Sequence, residues 1–397
     1  MKNKKVFLII LLVIIGLGCI GDKSKLTDQE KKNISVTEKG INNDPTREGT
    51  NIKQSTGRVV VTGHQMLVDG KPFIIKGVGY SPVPIGEGSK DYYTSNYADI
   101  YNRDLPILRK MGANTVRLWY WNNNADHADF LNKAYNDGKD PIYVIASFGI
   151  SFDADISSPD IRNKIKSDFR KMVAKYKDNP AILMWIIGNE LNAKGEYIYE
   201  DLFSLTNEMA KEAHIEEGAN YHPVAITMVD RNLTDVIKKY DPRMTSLDVW
   251  SVQLYRGKSF GNFFREYSNA SSKPVVVLEF GIDSYDNNNH TEYQNTQAEY
   301  MSALWKHIQN NLNITIGGAV TTYSDAWWKG KGGRASPGCP ENNASFHSDC
   351  GYPLQSHPDG YSNEEWWGIV SIKDNGTSPD IIEPKEAYYA LNKLWVK

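Results

Sequence analysis

Ala181-Ile182-Leu183-Met184-Trp185-Ile186-Ile187-Gly188-Asn189-Glu190 reads as one buried strand that ends on an acid. Pro180 bounds the apolar run on one side and Gly188 on the other. A run without polar alternation is how a strand covered on both faces reads, as in a parallel sheet wrapped by helices. A carboxylate directly after such a strand is costly unless the strand end opens onto a polar cleft. The pattern returns in Pro274-Val275-Val276-Val277-Leu278-Glu279-Phe280-Gly281. Two buried strands thus each deliver a glutamate at the C-terminal end.

Outward from that pair, strands and amphipathic helices alternate. Strands are predicted to start near 74, 114, 142, 181, 223, 249, 274 and 315. Helices are predicted over 97–111, 125–136, 159–176, 198–216, 234–239, 260–267, 293–310 and 385–395. Eight strands at intervals of about 35 residues, over roughly 250 residues, have the size and rhythm of an α/β (β/α)8 TIM barrel. An open doubly wound sheet is the competitor, but no glycine-rich phosphate loop follows the first strand. A short β-hairpin meander is expected ahead of the barrel, with turns at Thr62-Gly63-His64 and Asp69-Gly70. A long irregular loop is expected after strand eight, over 324–363.

The amino terminus has a different character. Lys2, Lys4 and Lys5 precede an apolar run from Val6 to Gly18, then Cys19. A positive region followed by a short apolar core is a secretory signal, and the run is short for a membrane span. Cys19 after Gly18 resembles a lipoprotein signal, although Gly16 departs from its usual pattern. Lipid-anchored export, cleaved secretion and an uncleaved anchor are the three readings, with lipidation at Cys19 preferred. Residues 20–56 are polar and aperiodic and are expected to form a disordered tether. The division is then 1–19 signal, 20–56 tether and 57–397 barrel.

Cys339 and Cys350 lie in a Gly/Pro/Ser/Asn-rich part of the loop after strand eight. In an exported protein they read as a disulfide stapling that loop. A metal site recruiting His347 is the alternative, but it lacks an obvious fourth ligand. The net charge of −3 gives no electrostatic case for nucleic acid. Ten Trp and 23 Tyr suit neutral polar ligands such as sugars, whose rings stack on aromatics.

In a barrel all strand C-termini face one mouth, so Glu190 from strand four and Glu279 from strand seven can converge across it. Two carboxylates flanking a bond are the equipment of glycoside hydrolysis. The phrases that carry a family likeness are Gly77-Val78-Gly79-Tyr80-Ser81-Pro82, Ala113-Asn114-Thr115-Val116-Arg117, Gly188-Asn189-Glu190 and Leu278-Glu279-Phe280-Gly281. Tyr323-Ser324-Asp325-Ala326-Trp327-Trp328-Lys329 and Glu364-Glu365-Trp366-Trp367-Gly368 complete them. In order and at barrel spacing they resemble the retaining β-glycosidase clan. More narrowly, they resemble the family 2 catalytic domain and the β-1,3-glucanosyltransferases.

The resemblance implies Glu190 as acid/base and Glu279 as nucleophile. Arg117 and Tyr255 would support Glu279, and Asn189 would contact the sugar 2-hydroxyl. Trp327 or Trp328, taken as lying on strand eight, would floor the subsite, with Trp119 and Tyr80 lining further subsites. Asp230 and Asp325 are rival carboxylates; Trp366 and Trp367 read mainly as packing. Gln253 stands where many relatives carry Asn or His, which leaves the contacts around Tyr255 open. Metal and cofactor are both expected to be none. The expected partner is a β-linked oligo- or polysaccharide, and the protein is expected to act as a monomer. A catalytically silent glycan-binding surface protein is the rival from another class.

Overall fold

The computed structural model describes residues 55–330, 344–349 and 351–396. Eight parallel strands close into a barrel: β1 (Ile75–Gly79), β2 (Thr115–Arg117), β3 (Tyr143–Phe148), β4 (Ile182–Ile187), β5 (Val224–Val229), β6 (Val249–Gln253), β7 (Val275–Phe280) and β8 (Thr315–Val320). Ring order follows chain order, and β8 closes on β1. One helix follows each strand: α1 (Ala98–Met111), α2 (Ala128–Tyr135), α3 (Pro159–Tyr176), α4 (Tyr199–Glu217), α5 (Leu233–Tyr240), α6 (Phe263–Tyr267), α7 (Gln294–Gln309) and α8 (Glu386–Trp395).

The helices form where the sequence period and end signals agree. In α3, Pro159 opens the first turn, where its missing N–H costs nothing. Phe169, Met172, Val173 and Tyr176 then fall on one buried stripe. α1 stops at Gly112, whose φ of +87° is a left-handed cap that glycine adopts without a Cβ penalty.

Packing falls into two layers. Ile182, Ile187, Val275, Val277 and Phe280 face the helices, while Leu183, Ile186, Val276, Leu278 and Ile316 fill the barrel. Val59, Met66 and Val68 join that inner cluster from a three-stranded antiparallel sheet, Val59–Thr62, Gln65–Val68 and Lys71–Phe73. This sheet plugs one end of the barrel. The Asp69-Gly70 turn joins its last two strands with φ of 50° and 73°, as a two-residue type I′ hairpin requires. With that end plugged, the mouth at the strand C-termini is the end left for a site.

The structure adds to the sequence expectations at three places. Ser55 and Thr56, placed in the tether by the sequence reading, are tied to the barrel: the Ser55 hydroxyl donates to Tyr221 O (2.7 Å) and Thr56 N to Ala219 O (2.8 Å). A hairpin unforeseen in the sequence, Val370–Lys373 with Ile381–Pro384, leads into α8. Strand β8 ends at Val320, so Trp327 and Trp328 are not on it; they occupy a 3-10 turn, Trp327–Gly330. The signal segment with Cys19, nearly all of the tether and the Cys339–Cys350 pairing lie outside the described residues. No helix among the described residues is long and apolar enough to cross a membrane.

Candidate active site

Strict alternation along β7 would turn Glu279 outward with Val275 and Val277. The pairing of β7 with β6 instead shifts register between Val277 and Glu279. Leu278 and Glu279 both therefore face inward, and Phe280 returns to the helix side, edge-on to Phe260 at 5.9 Å. A bulge that re-aims one side chain is a recurrent device beside active sites.

The Glu279 carboxylate accepts from four side chains. Arg117 Nη1, Trp119 Nε1 and Gln253 Nε2 each donate to Oε1 at 2.7 Å, and the Tyr255 hydroxyl donates to Oε2 at 2.7 Å. These donors suit an ionised, acceptor-only carboxylate. Oε1 is saturated by three of them, so Oε2 is the oxygen with capacity to spare. Arg117 is wholly buried, with its guanidinium 4.2 Å over the Trp119 ring. Burial lowers the Arg117 pKa against the pull of Glu279.

Glu190 sits differently. Gly188 (φ 66°) and Glu190 itself (φ 55°, ψ 20°) take left-handed backbone as the chain leaves β4. A non-glycine residue in that region is uncommon and marks a position over-determined by its surroundings. Here Glu190 N donates to Thr227 O (3.2 Å), and Asn192 bonds Val229 through both N–H and C=O of the backbone (2.9 Å each), pinning the turn to β5. Glu190 is 3% exposed, and no side chain among the described residues donates to its carboxyl. Burial pushes its pKa well above the usual carboxylate range, aided by the negative charges of Glu279 and Glu364; Lys329 and Arg117 oppose.

Asn189 lies between the two acids in the network. Its Oδ1 accepts from Arg117 Nη2 (2.6 Å) and Gln253 Nε2 (2.9 Å), which fixes the amide orientation and leaves its NH₂ as the half available to a ligand. Gln253, the departure noted in the sequence, thus bridges Asn189 and Glu279. Both acids line one cleft of about 180 Å³, walled by Tyr255, Thr321, Thr322, Leu354 and Trp367 and reached by Lys329, Tyr352 and Glu364.

Several expected liners are elsewhere. Tyr80 is fully buried, because β1 ends at Gly79 and the ring turns to α1, where its hydroxyl donates to Asp104 (2.9 Å). It is core, not cleft. Trp119 is half-buried and donates its indole N–H to Glu279, which places it beside the nucleophile candidate. Trp327 and Trp328 are not among the described residues that line this cleft. Trp327 stacks on His347, which stacks in turn on Trp366 at 3.6 Å, and Trp328 packs on the Val83–Tyr92–Ile100 cluster.

Trp367, read from sequence mainly as packing, is the tryptophan on the cleft wall, edge-on to Tyr255 at 4.8 Å. Asp325 is withdrawn, bound to Lys385 Nζ at 2.8 Å with its pKa raised by burial to about 7. Asp230 lines the cleft but is held by both Nε and Nη2 of Arg256. Among the described residues no cluster suited to a metal ion occurs, and His347 is a stacked ring whose pKa burial lowers to about 3.

Comparison with known proteins agrees with this architecture. A beta-glucuronidase of Felis catus is 25% identical over 237 residues, covering 57% of this chain and 33% of that protein. A 1,3-beta-glucanosyltransferase of Schizosaccharomyces pombe is 24% identical over 290 residues, 68% of this chain and 60% of that one. The structure of a Saccharomyces cerevisiae Gas2p mutant with laminaritetraose and laminaripentaose superposes with a TM-score of 0.56 at 17% identity, covering 86% and 68% of the two chains. That likeness shows the shared fold. The chain spans a third of the cat protein's length. The glucanosyltransferase family itself matches residues 49–308, well over half of the sequence and including both cleft glutamates, and the chain belongs to that family.

Proposed function

We propose that the protein is a retaining enzyme of β-linked glucans that breaks a glycosidic bond by double displacement and passes the glycosyl unit to an acceptor. The observation that carries this reading is the asymmetry of the two acids in one cleft. Glu279 is held by four donors, whereas Glu190 is buried beside two other carboxylates with no side-chain donor among the described residues.

Glu279 Oε2 attacks the anomeric carbon while Glu190 gives its proton to the leaving oxygen, so that the C–O bond breaks and a glycosyl ester forms. Esterification removes the Glu279 charge, one of the groups that raises the Glu190 pKa. Glu190, now a carboxylate of lower pKa, takes the proton from the incoming hydroxyl. That hydroxyl attacks the anomeric carbon, and the ester to Glu279 is released. Asn189 NH₂ meets the sugar 2-hydroxyl, and Trp367 with Tyr255 supplies a face for the ring.

Water and a sugar hydroxyl are alternative acceptors at the same intermediate. Family membership and the glucanosyltransferase relatives favour the sugar. Incubation with laminari-oligosaccharides and sizing of the products by mass tests this. Products longer than the substrate are expected, and both Glu190→Gln and Glu279→Gln should strongly suppress them. A wild type that binds but leaves every β-glycan intact would support the silent glycan-binding alternative.

We place the enzyme outside the cytoplasm as a monomer, tied by lipid on Cys19, with Cys339 and Cys350 paired. The supports are the Lys-rich apolar leader, the polar stretch behind it and the two cysteines within one loop.

A further inference from the structure

The relatives of this chain are named for different sugars, one set for glucuronides and one for glucans, and the cleft carries a charged feature that bears on that choice. We propose that the Lys329–Glu364 ion pair is a specificity element that admits neutral hexose units and turns away sugars bearing a carboxylate. The inference rests on the glycosidase reading above and names the residues that set its choice of sugar.

Lys329 Nζ lies 2.7 Å from Glu364 Oε2, both side chains line the cleft with Glu190 and Glu279, and the Tyr352 hydroxyl donates to Glu364 Oε1 at 3.1 Å. Burial works against the Lys329 ammonium, but Glu364, with Glu279 and Tyr120 behind it, more than offsets that and raises the pKa, which keeps the ammonium charged. Around the cleft, among the described residues, each cation is already claimed by an acid: Arg117 by Glu279, Arg256 by Asp230 and Lys329 by Glu364. Among the described residues a uronate entering this cleft finds no unclaimed cation, while the Glu279, Glu364 and Asp230 carboxylates already line it. A neutral hexose has no such conflict, and its hydroxyls can donate to Glu364 or accept from Lys329. Specificity built on a repulsive element of this kind is a difference in affinities that one substitution can reverse.

The test compares kcat/KM for an aryl β-glucoside and the matching aryl β-glucuronide in the full-length wild type, Glu364→Gln and the double variant Lys329→Met/Glu364→Gln. Wild type is expected to favour the glucoside. Glu364→Gln releases Lys329 and should raise the glucuronide-to-glucoside ratio by about tenfold or more. The double variant should lose that gain, since the released ammonium is what receives the uronate. Circular dichroism melting confirms that each variant is folded. If Glu364→Gln is misfolded, Glu364→Ala is measured in its place. An unchanged ratio in a folded, glucoside-active variant overturns the proposal, as does a wild type that prefers the glucuronide. Inactivity of the wild type on both substrates and on laminari-oligosaccharides removes the enzymatic reading itself.

Discussion

Removing the Glu279 carboxylate takes a shared acceptor from Arg117, Trp119, Gln253 and Tyr255, whereas removing the Glu190 charge relieves a buried acid to which no side chain among the described residues donates. The two Glu→Gln changes should therefore differ in stability as well as in rate. Glu190→Gln is expected to lower kcat on glucans about 10²–10⁴-fold, the usual share of general acid/base catalysis. An activated aryl leaving group should recover part of the first step, because it needs little protonation.

The stability effect has a definite sign. The folded pKa of Glu190 lies above its ordinary 4.5, so its protonated form favours the fold. That contribution is full below the unfolded value and is lost as pH rises through the folded one. Glu190→Gln should thus melt higher than wild type at neutral and alkaline pH, with the gap closing below pH 4.5. Melting curves against pH check this, and a gap of opposite sign would contradict the burial of an unpaired acid. For the same reason the alkaline limb of kcat/KM should belong to Glu190 and move to lower pH in Glu364→Gln, which removes one of the charges that raise it.

At the scale of elements, the strands and helices were legible because their signals are periodic and their ends punctuated: α3 begins at Pro159 and ends at Tyr176 as read. The aim of single side chains at strand ends was less legible. β7 is apolar on both faces, so no alternation in its sequence betrays the bulge that turns Glu279 inward; position at the strand end pointed to Glu279 without that detail. Tyr80 misled because an aromatic after β1 reads the same whether it turns to the mouth or to Asp104 on α1. The Lys329–Glu364 pair lies in aperiodic loop sequence, where no spacing rule operates.

Closure of the barrel depends on β8. Gly317 has φ 118°, and a Cβ there would lie 2.3 Å from Ile75 O on β1. Gly317→Ala must shift β8 from β1 and should cost about 1–3 kcal/mol or more, the usual cost of such backbone strain. Thermal or denaturant unfolding reads it; an unchanged midpoint would mean that the two strands are not this close.

For the whole molecule, one end of the barrel is sealed by the Val59–Phe73 sheet and the other holds the cleft, so stability and chemistry occupy opposite ends. Met66, 1% exposed in the inner cluster, ties the plug to the strands. Met66→Ala is expected to cost about 2–5 kcal/mol in stability with pH–rate behaviour intact, read from unfolding and activity on the same sample. Anchorage belongs to this scale too. Cys19→Ala should move the protein from the membrane fraction to the soluble one, and unchanged partitioning would contradict lipid attachment there.

The most direct test of the chemistry is to trap the intermediate. A 2-deoxy-2-fluoro β-glucoside with a good leaving group slows breakdown of the glycosyl ester, and peptide mass mapping then locates it. The expected label lies on Glu279, in wild type and in Glu190→Gln alike. A label on another carboxylate, or an active enzyme that never takes one, would contradict Glu279 as the nucleophile.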